Sequence, residues 1–211
     1  VLDRRQFLLS LPAAFLAARM REQPRAGDAA TIAGIEFRWC PAGSFQMGSP
    51  AGEPHRRGDE AQVGVTISRG FWIGRTEVTQ GQWRRLAGAW PDQAPTARFG
   101  LGDDFPMYWV NYAEAETFCA RLTDNAGRAG TLPNGMRVQL PTEAQWEYAC
   151  RAGTTTAFAF GPTLDRSQAN LALEPHKPGT EPPLSNRGVA VARYRANAWD
   201  ICDMHGNVFE W

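Results

Sequence analysis

Apolar positions change period along this chain: they alternate in the first third, recur every three or four residues in the middle, and lose regularity after Gly153. Ile35 to Trp39 and Ser44 to Met47 read as short strands around Pro41 and Gly43, and Val63, Val65 and Ile67 alternate as a half-buried strand requires. The stretch from Met20 to Ala30 is polar and contains Gly and Pro, which marks a linker, so the ordered domain is expected to begin near Ile32.

Three helices follow, each announced by a capping residue with Gln or Glu three positions later. Thr79 stands before Gln82, Asn111 before Glu114, and Thr142 before Gln145. After each cap the apolar residues fall at helical spacing: Trp83, Leu86 and Ala87; then Ala115, Phe118, Cys119 and Leu122; then Trp146, Ala149 and Cys150. Each helix should bury one face. Gly153 stands where a left-handed cap would end the third, which puts Cys150 in its last turn on the side of Trp146.

Beyond Gly153 the pattern breaks. Thr154 to Leu173 has no sustained period, and the prolines between Glu174 and Pro183 exclude a helix. Coil this long inside a domain usually serves a bound ion or a binding surface. The earlier loop Gly52 to Glu60 mixes both charge signs and reads as a solvated loop. No internal repeat or low-complexity tract is evident.

Composition narrows this to a globular, loop-rich chain. A hydrophobic fraction of 43% supports a real core. Twenty-two basic residues balance twenty-two acidic ones, so nothing global favours nucleic acid or an anionic membrane. The eight Trp are spread out and are expected to act as core anchors. Near the N-terminus, twin arginines Arg4 and Arg5 precede an apolar run, as in a twin-arginine export signal. That run is about a dozen residues, short of the roughly 20 that span a bilayer, so no stable membrane anchor is expected. Residues 1–30 therefore read as signal and linker, residues 31–211 as the domain, and the destination as the periplasm or beyond. Cys40, Cys119, Cys150 and Cys202 match neither a small disulfide framework nor a CxxC zinc site.

The chemistry concentrates in the last nine residues, DMHGNVFEW, Asp203 to Trp211. Asp203 and Glu210 flank Gly206, so a turn there can aim two carboxylates and several carbonyls at one point, as a hard cation such as Ca²⁺ requires. The alternative is a hairpin whose carboxylates cap backbone N–H groups. Val1 is no start methionine and the sequence stops inside this motif, so the chain is expected to be a fragment.

Four segments together resemble the sulfatase-modifying-factor family, whose founding activity is formylglycine generation: PAGSFQMGS (Pro41 to Ser49), EVTQGQW (Glu77 to Trp83), LPTEAQWEYACRAG (Leu140 to Gly153) and DMHGNVFEW. The resemblance spans about Ile32 to Trp211. It implies an α+β domain of the C-type lectin-like, formylglycine-generating-enzyme type, with short strands and a few capped helices, held partly by calcium. It implies one Ca²⁺ at Asp203, Gly206, Val208 and Glu210, the middle two through carbonyls, and the start of a second site at Asn170 and Leu171. The later ligands of that second site have no counterpart between Leu173 and Tyr194. It implies a structural role for Cys150, matched to a family cysteine that can be bridged near the C-terminus.

Formylglycine-generating relatives oxidise a cysteine of a client sulfatase with O₂ and a copper ion held by two thiolates, a soft pairing. Those cysteines lie beyond the segment matched to Trp211, so copper and the catalytic residues are expected there and the fragment is expected to be inactive. A branch that makes sulfoxides on iron uses HxxxHxE, a spacing that His55, His176 and His205 do not show. Other exported relatives serve siderophore maturation or bind ligands without catalysis.

Overall fold

The computed structural model describes residues 24–54, 56–132, 135–171 and 187–211. The export signal expected at the N-terminus, His55, His176 and the whole Pro-rich stretch from Glu174 to Pro183 lie outside the described residues. Five strands and three helices are present: β1 (Ala29–Ile32), β2 (Ile35–Cys40), β3 (Gly43–Met47), β4 (Val63–Ile67), β5 (Phe71–Gly74), α1 (Gln80–Ala87), α2 (Tyr112–Arg128) and α3 (Glu143–Arg151). The architecture is α+β with much coil.

β1, β2 and β5 form an antiparallel sheet in that order, and β3 pairs with β4. β1 and β5 were not legible as strands. Ala29 and Ala30 pair with Arg38 and Phe37, so regular structure begins three residues before Ile32. β5 has no alternation to read because all four of its residues are half-buried.

Strand period explains the layering. Side chains alternate across a strand, and the three-stranded sheet separates two apolar clusters. Ile35 and Phe37 of β2 pack with Trp83, Phe118, Leu122 and Ala126 on one side, with Trp72 of β5 against them. Cys40 of β2 packs with Tyr148, Ala149, Cys150, Ile201 and Met204 on the other, with Phe71 and Ile73 of β5 against them. Trp83 stacks on Phe118 at 4.9 Å and 7° between planes, locking α1 to α2. Six of the Trp are buried or half-buried, but Trp109 and Trp211 are 43% and 56% exposed, so the core-anchor expectation fails for these two.

All three capping boxes form. Gln82 N, Glu114 N and Gln145 N donate to the side chains of Thr79, Asn111 and Thr142, and the cap N–H groups donate back to the Gln or Glu side chains. α3 ends one residue earlier than the sequence suggests: Ala152 takes the left-handed conformation at φ 46°, and Gly153 continues it at φ 90°. Two polar residues shape the coil around these helices. Buried Gln80 donates to Gly100 O and Pro106 O and accepts from Gly102 N, pinning the loop of residues 100–106. Asn197 donates to Ala149 O and Cys150 O, satisfying carbonyls at the end of α3, and accepts from Trp199 N and Ile201 N. Among the described residues no helix is long and apolar enough to cross a membrane.

Candidate functional site

The segment from Asp200 to Trp211 contains no regular element, yet its backbone is tightly specified. Asp200, Asp203, Gly206 and Asn207 all adopt positive φ, at 54°, 59°, 89° and 63°. Asp, Asn and Gly are the residues that tolerate this region best. A Cβ on Gly206 would lie 2.4 Å from Asn170 O, so the turn passes too close to its neighbour for any other residue.

The sheet holds the entry to this turn. Asp200 accepts from buried Arg38 at 2.8 Å and from Arg75, and these guanidinium bonds hold its carboxyl below the usual carboxylate range. Cys202 N donates to Arg75 O at 2.8 Å. Asp203 therefore projects from a clamped backbone, and its Oδ2 accepts from Ala192 N at 2.6 Å.

Asn207 is the hub. Its N–H donates to Asn170 O, its Oδ1 accepts from Asn170 Nδ2 and Val189 N, and its Nδ2 donates to Glu77 Oε1 at 3.0 Å and to Val189 O. Asn170 is thus brought to the same turn as Asp203, and Leu171 Cδ2 lies 3.4 Å from the ideal Cβ position of Gly206. Neither Asn207 nor Glu77 stood out as a site residue in the sequence. The available signal was that each lies inside a family-like segment, EVTQGQW and DMHGNVFEW.

Three carboxylates share the region. Glu77 is 8% exposed, and burial first, then the charges of Asp203 and Glu210, push its carboxyl up to about 9. Burial also raises Asp203, opposed by hydrogen bonds from Ala192 and with Glu77. Glu210 accepts from Trp146 Nε1 at 3.0 Å. Its residue is exposed at the surface, but the protein packed around its carboxyl, and then Asp203, raise it as well. Like charges brought together out of water raise one another's pKa values unless a cation or proton offsets them.

Cys150 fastens α3 to the turn. Its Sγ lies 3.7 Å from Met204 O and 3.8 Å from the His205 ring nitrogens. His205 Nε2 accepts from Ala159 N, so the ring proton sits on Nδ1, and the ring meets Phe158 and Phe160 edge to face. Burial lowers the His205 pKa, favouring the neutral ring.

An all-oxygen donor set and a buried carboxylate oxygen without a partner, Glu77 Oε2, fit a hard cation. Among the described residues no three His, Cys, Asp or Glu side chains gather as joint metal ligands, so such a cation must also draw on carbonyls, as expected at Gly206 and Val208. The cysteines do not fit copper. All four are free, and burial pushes the thiols of Cys40, Cys150 and Cys202 up to about 12, 12 and 11, whereas soft-metal ligation needs thiolates.

Residues 23–211 match the sulfatase-modifying factor enzyme 1-like domain. A formylglycine-generating enzyme of Mycobacterium tuberculosis is 29% identical over 81% of the chain and 71% of its own length. A hercynine oxygenase of Mycolicibacterium smegmatis is 27% identical over 81% of the chain, which spans only 44% of that enzyme. The structure of PvdO from Pseudomonas aeruginosa superposes with a TM-score of 0.71 and 28% identity, covering 89% of the chain and 74% of PvdO.

Proposed function

The chain belongs to the sulfatase-modifying-factor family, and from that premise we propose that it is a calcium-holding scaffold of the exported, formylglycine-generating oxidase type whose client is a protein such as a sulfatase. The observation that carries the calcium part is the turn itself: Gly206 and Asn207 force its backbone into one shape between Asp203 and Glu210, whose carboxyls are near enough for the charge of Asp203 to raise the pKa of Glu210. Asp203 and Glu210 would hold Ca²⁺ by side chain and Gly206 and Val208 by carbonyl. Asn170 is hydrogen-bonded to the turn through Asn207, and Leu171 packs against Gly206. Their proposed place in a second ion site rests on the family likeness alone.

The described residues do scaffold work. Arg38 and Arg75 fix Asp200, Asn197 closes α3, and Cys150 and Trp146 carry α3 onto the turn. A copper ion would supply O₂ activation and thiol oxidation. The buried, protonated cysteines described above do not provide its site, and no step is derived through it. The periplasmic destination follows from the twin-arginine run and is proposed with it.

A second reading has its own observation. Trp109, Tyr112, Phe209 and Trp211 are all exposed, and Tyr112 meets Trp211 edge to face at 5.7 Å. Such a surface suits a ligand-binding or siderophore-maturation protein on the same scaffold. The two readings part on one assay: the protein, supplied with copper and O₂, is incubated with a cysteine-containing sulfatase peptide. Appearance of a hydrazide-reactive aldehyde on the peptide supports the oxidase. An unchanged peptide, with retained calcium binding, supports the binding protein.

A further inference from the structure

We propose that the exposed aromatic face formed by Trp109, Tyr112 and Trp211 docks a basic segment of a partner protein, whose Lys or Arg side chains sit on the rings and pair with Glu116. This rests on the aromatic surface of the second reading above, names its occupant, and is independent of calcium.

Trp109 is held in a conformation that its own chemistry does not favour. It takes φ 58°, which strains a bulky side chain and persists only where the surroundings impose it. Here they do. Met107 N donates to Val78 O on one side, and Asn111 caps α2 on the other. Phe99 and Tyr108 meet the indole edge to face at 5.2 and 5.0 Å, and the Tyr108 hydroxyl is tied to Thr96 and Gly100. Trp211 extends the face: its Nε1 donates to Val110 O, the carbonyl after Trp109, and its ring meets Tyr112. Exposed rings fixed in advance offer contact area at little ordering cost, as a docking anchor requires.

Charge identifies the occupant. The chain as a whole is neutral, yet between Leu86 and Ala120 the acids Asp92, Asp103, Asp104, Glu114 and Glu116 stand against a single base, Arg98. That base already lies over the Phe99 ring, 5.7 Å from its centroid, so the chain itself places a guanidinium on these aromatics. Asp103 is paired with Arg84, and Glu114 accepts from Asp92 N and Asn111 N. Glu116 is left over. It is exposed one helical turn beyond Tyr112 and has no bonded partner among the described residues. Rings attract a cation through their negative faces, and the carboxylates around them add to that attraction while repelling an anionic partner.

The test uses the full chain and two fluorescent peptides, a Gly-Ser-Arg repeat and its Gly-Ser-Glu counterpart, with Kd read by anisotropy. The expected result is binding of the basic peptide alone, weakening as salt is raised. Trp109→Leu and Tyr112→Leu should each weaken it about two- to fivefold, the scale of one exposed cation–π contact. Glu116→Lys should weaken it further, and Val63→Ser, at an exposed apolar position of β4, should leave it unchanged. If Trp109→Leu fails to fold, Tyr112→Leu and Glu116→Lys, both on exposed turns of α2, decide alone. Equal binding of the two peptides, no binding of the basic one, or parent affinity in both α2 variants overturns the inference. Each of these outcomes leaves the binding reading standing, because the aldehyde assay decides that reading.

Discussion

The cluster under α1 and α2 and the coil around Asn207 solve the same problem by opposite means. In the first, Trp83, Phe118, Leu122 and Ala126 lie at helical spacing, and the backbone satisfies itself within helices. In the second, backbone partners are scattered, and a few polar side chains, Asn207, Asn197, Asn170 and Gln80, do the joining. Apolar area is non-directional and forgiving. Side-chain hydrogen bonds in buried coil are directional, and losing one partner strands several others. The helical cluster should therefore fail in proportion to volume removed, and the coil should fail by connectivity.

The largest expected effect tests the first half of that contrast. Trp83→Ala removes a 6% exposed ring stacked on Phe118 and should cost about 3–5 kcal/mol in urea unfolding. Trp83→Phe should recover most of it, since it restores an aromatic face. A Phe variant as damaged as the Ala variant would mean that the Trp83 Nε1 bond to Ala89 O, not packing, dominates.

Asn207→Leu comes next, at about 2–4 kcal/mol, because a nearly isosteric apolar residue leaves the Asn170 amide, Val189 N and Glu77 Oε1 without their partner at once. It also places a branched side chain at φ 63°. Asn207→Gly keeps the backbone and removes the bonds. If the Gly variant is as stable as the parent, the hub picture is wrong.

These two regions were legible to different degrees for the same reason. The three helices could be read because cap and period are local and redundant: Thr142, Gln145, Trp146 and Ala149 all say the same thing. The turn could be read as a motif, DMHGNVFEW, but not as a network, because nothing in the sequence ties Asn207 to Glu77 or Asn197 to the end of α3. β5 escaped notice because a strand half-buried on both faces does not alternate. Exposed Trp109 and Trp211 escaped because large aromatics are usually buried.

A cation should move the coil more than the helices. At calcium a hundredfold above its Kd, binding to the native state alone adds about 2.7 kcal/mol, and EDTA should remove it. Glu210→Ala should abolish that sensitivity. pH gives an independent handle in EDTA. The folded Glu77 pKa of about 9 stands above its ordinary 4.5, so between those values the native state holds a proton that the unfolded state has lost. Its contribution is complete below about 4.5 and falls as pH rises toward about 9. Thermal melts in EDTA should therefore decline across that window, with Asp203 and Glu210 acting in the same direction. Glu77→Gln, which cannot ionise, should flatten the decline. A decline of equal slope in that variant would remove Glu77 as its source.

The smallest effect sets the two regions against each other at their junction. Thr79→Ala and Thr142→Ala each remove a side-chain acceptor from a capping box and should each cost about 1 kcal/mol. Their consequences should part beyond that. α1 is held by its own packing on Phe118. α3 is held at its far end by Asn197 and delivers Trp146 to Glu210 and Cys150 to Met204. Loosening the start of α3 should therefore weaken calcium binding severalfold, whereas loosening the start of α1 should reach the turn only through the bond between Asn207 and Glu77, two residues before Thr79. Comparing calcium affinity in Thr79→Ala, Thr142→Ala and the pair then measures how far each helix supports the site. Additive costs in stability with no change in affinity would show the coil to be self-sufficient, and the helices a platform that positions it without tuning it.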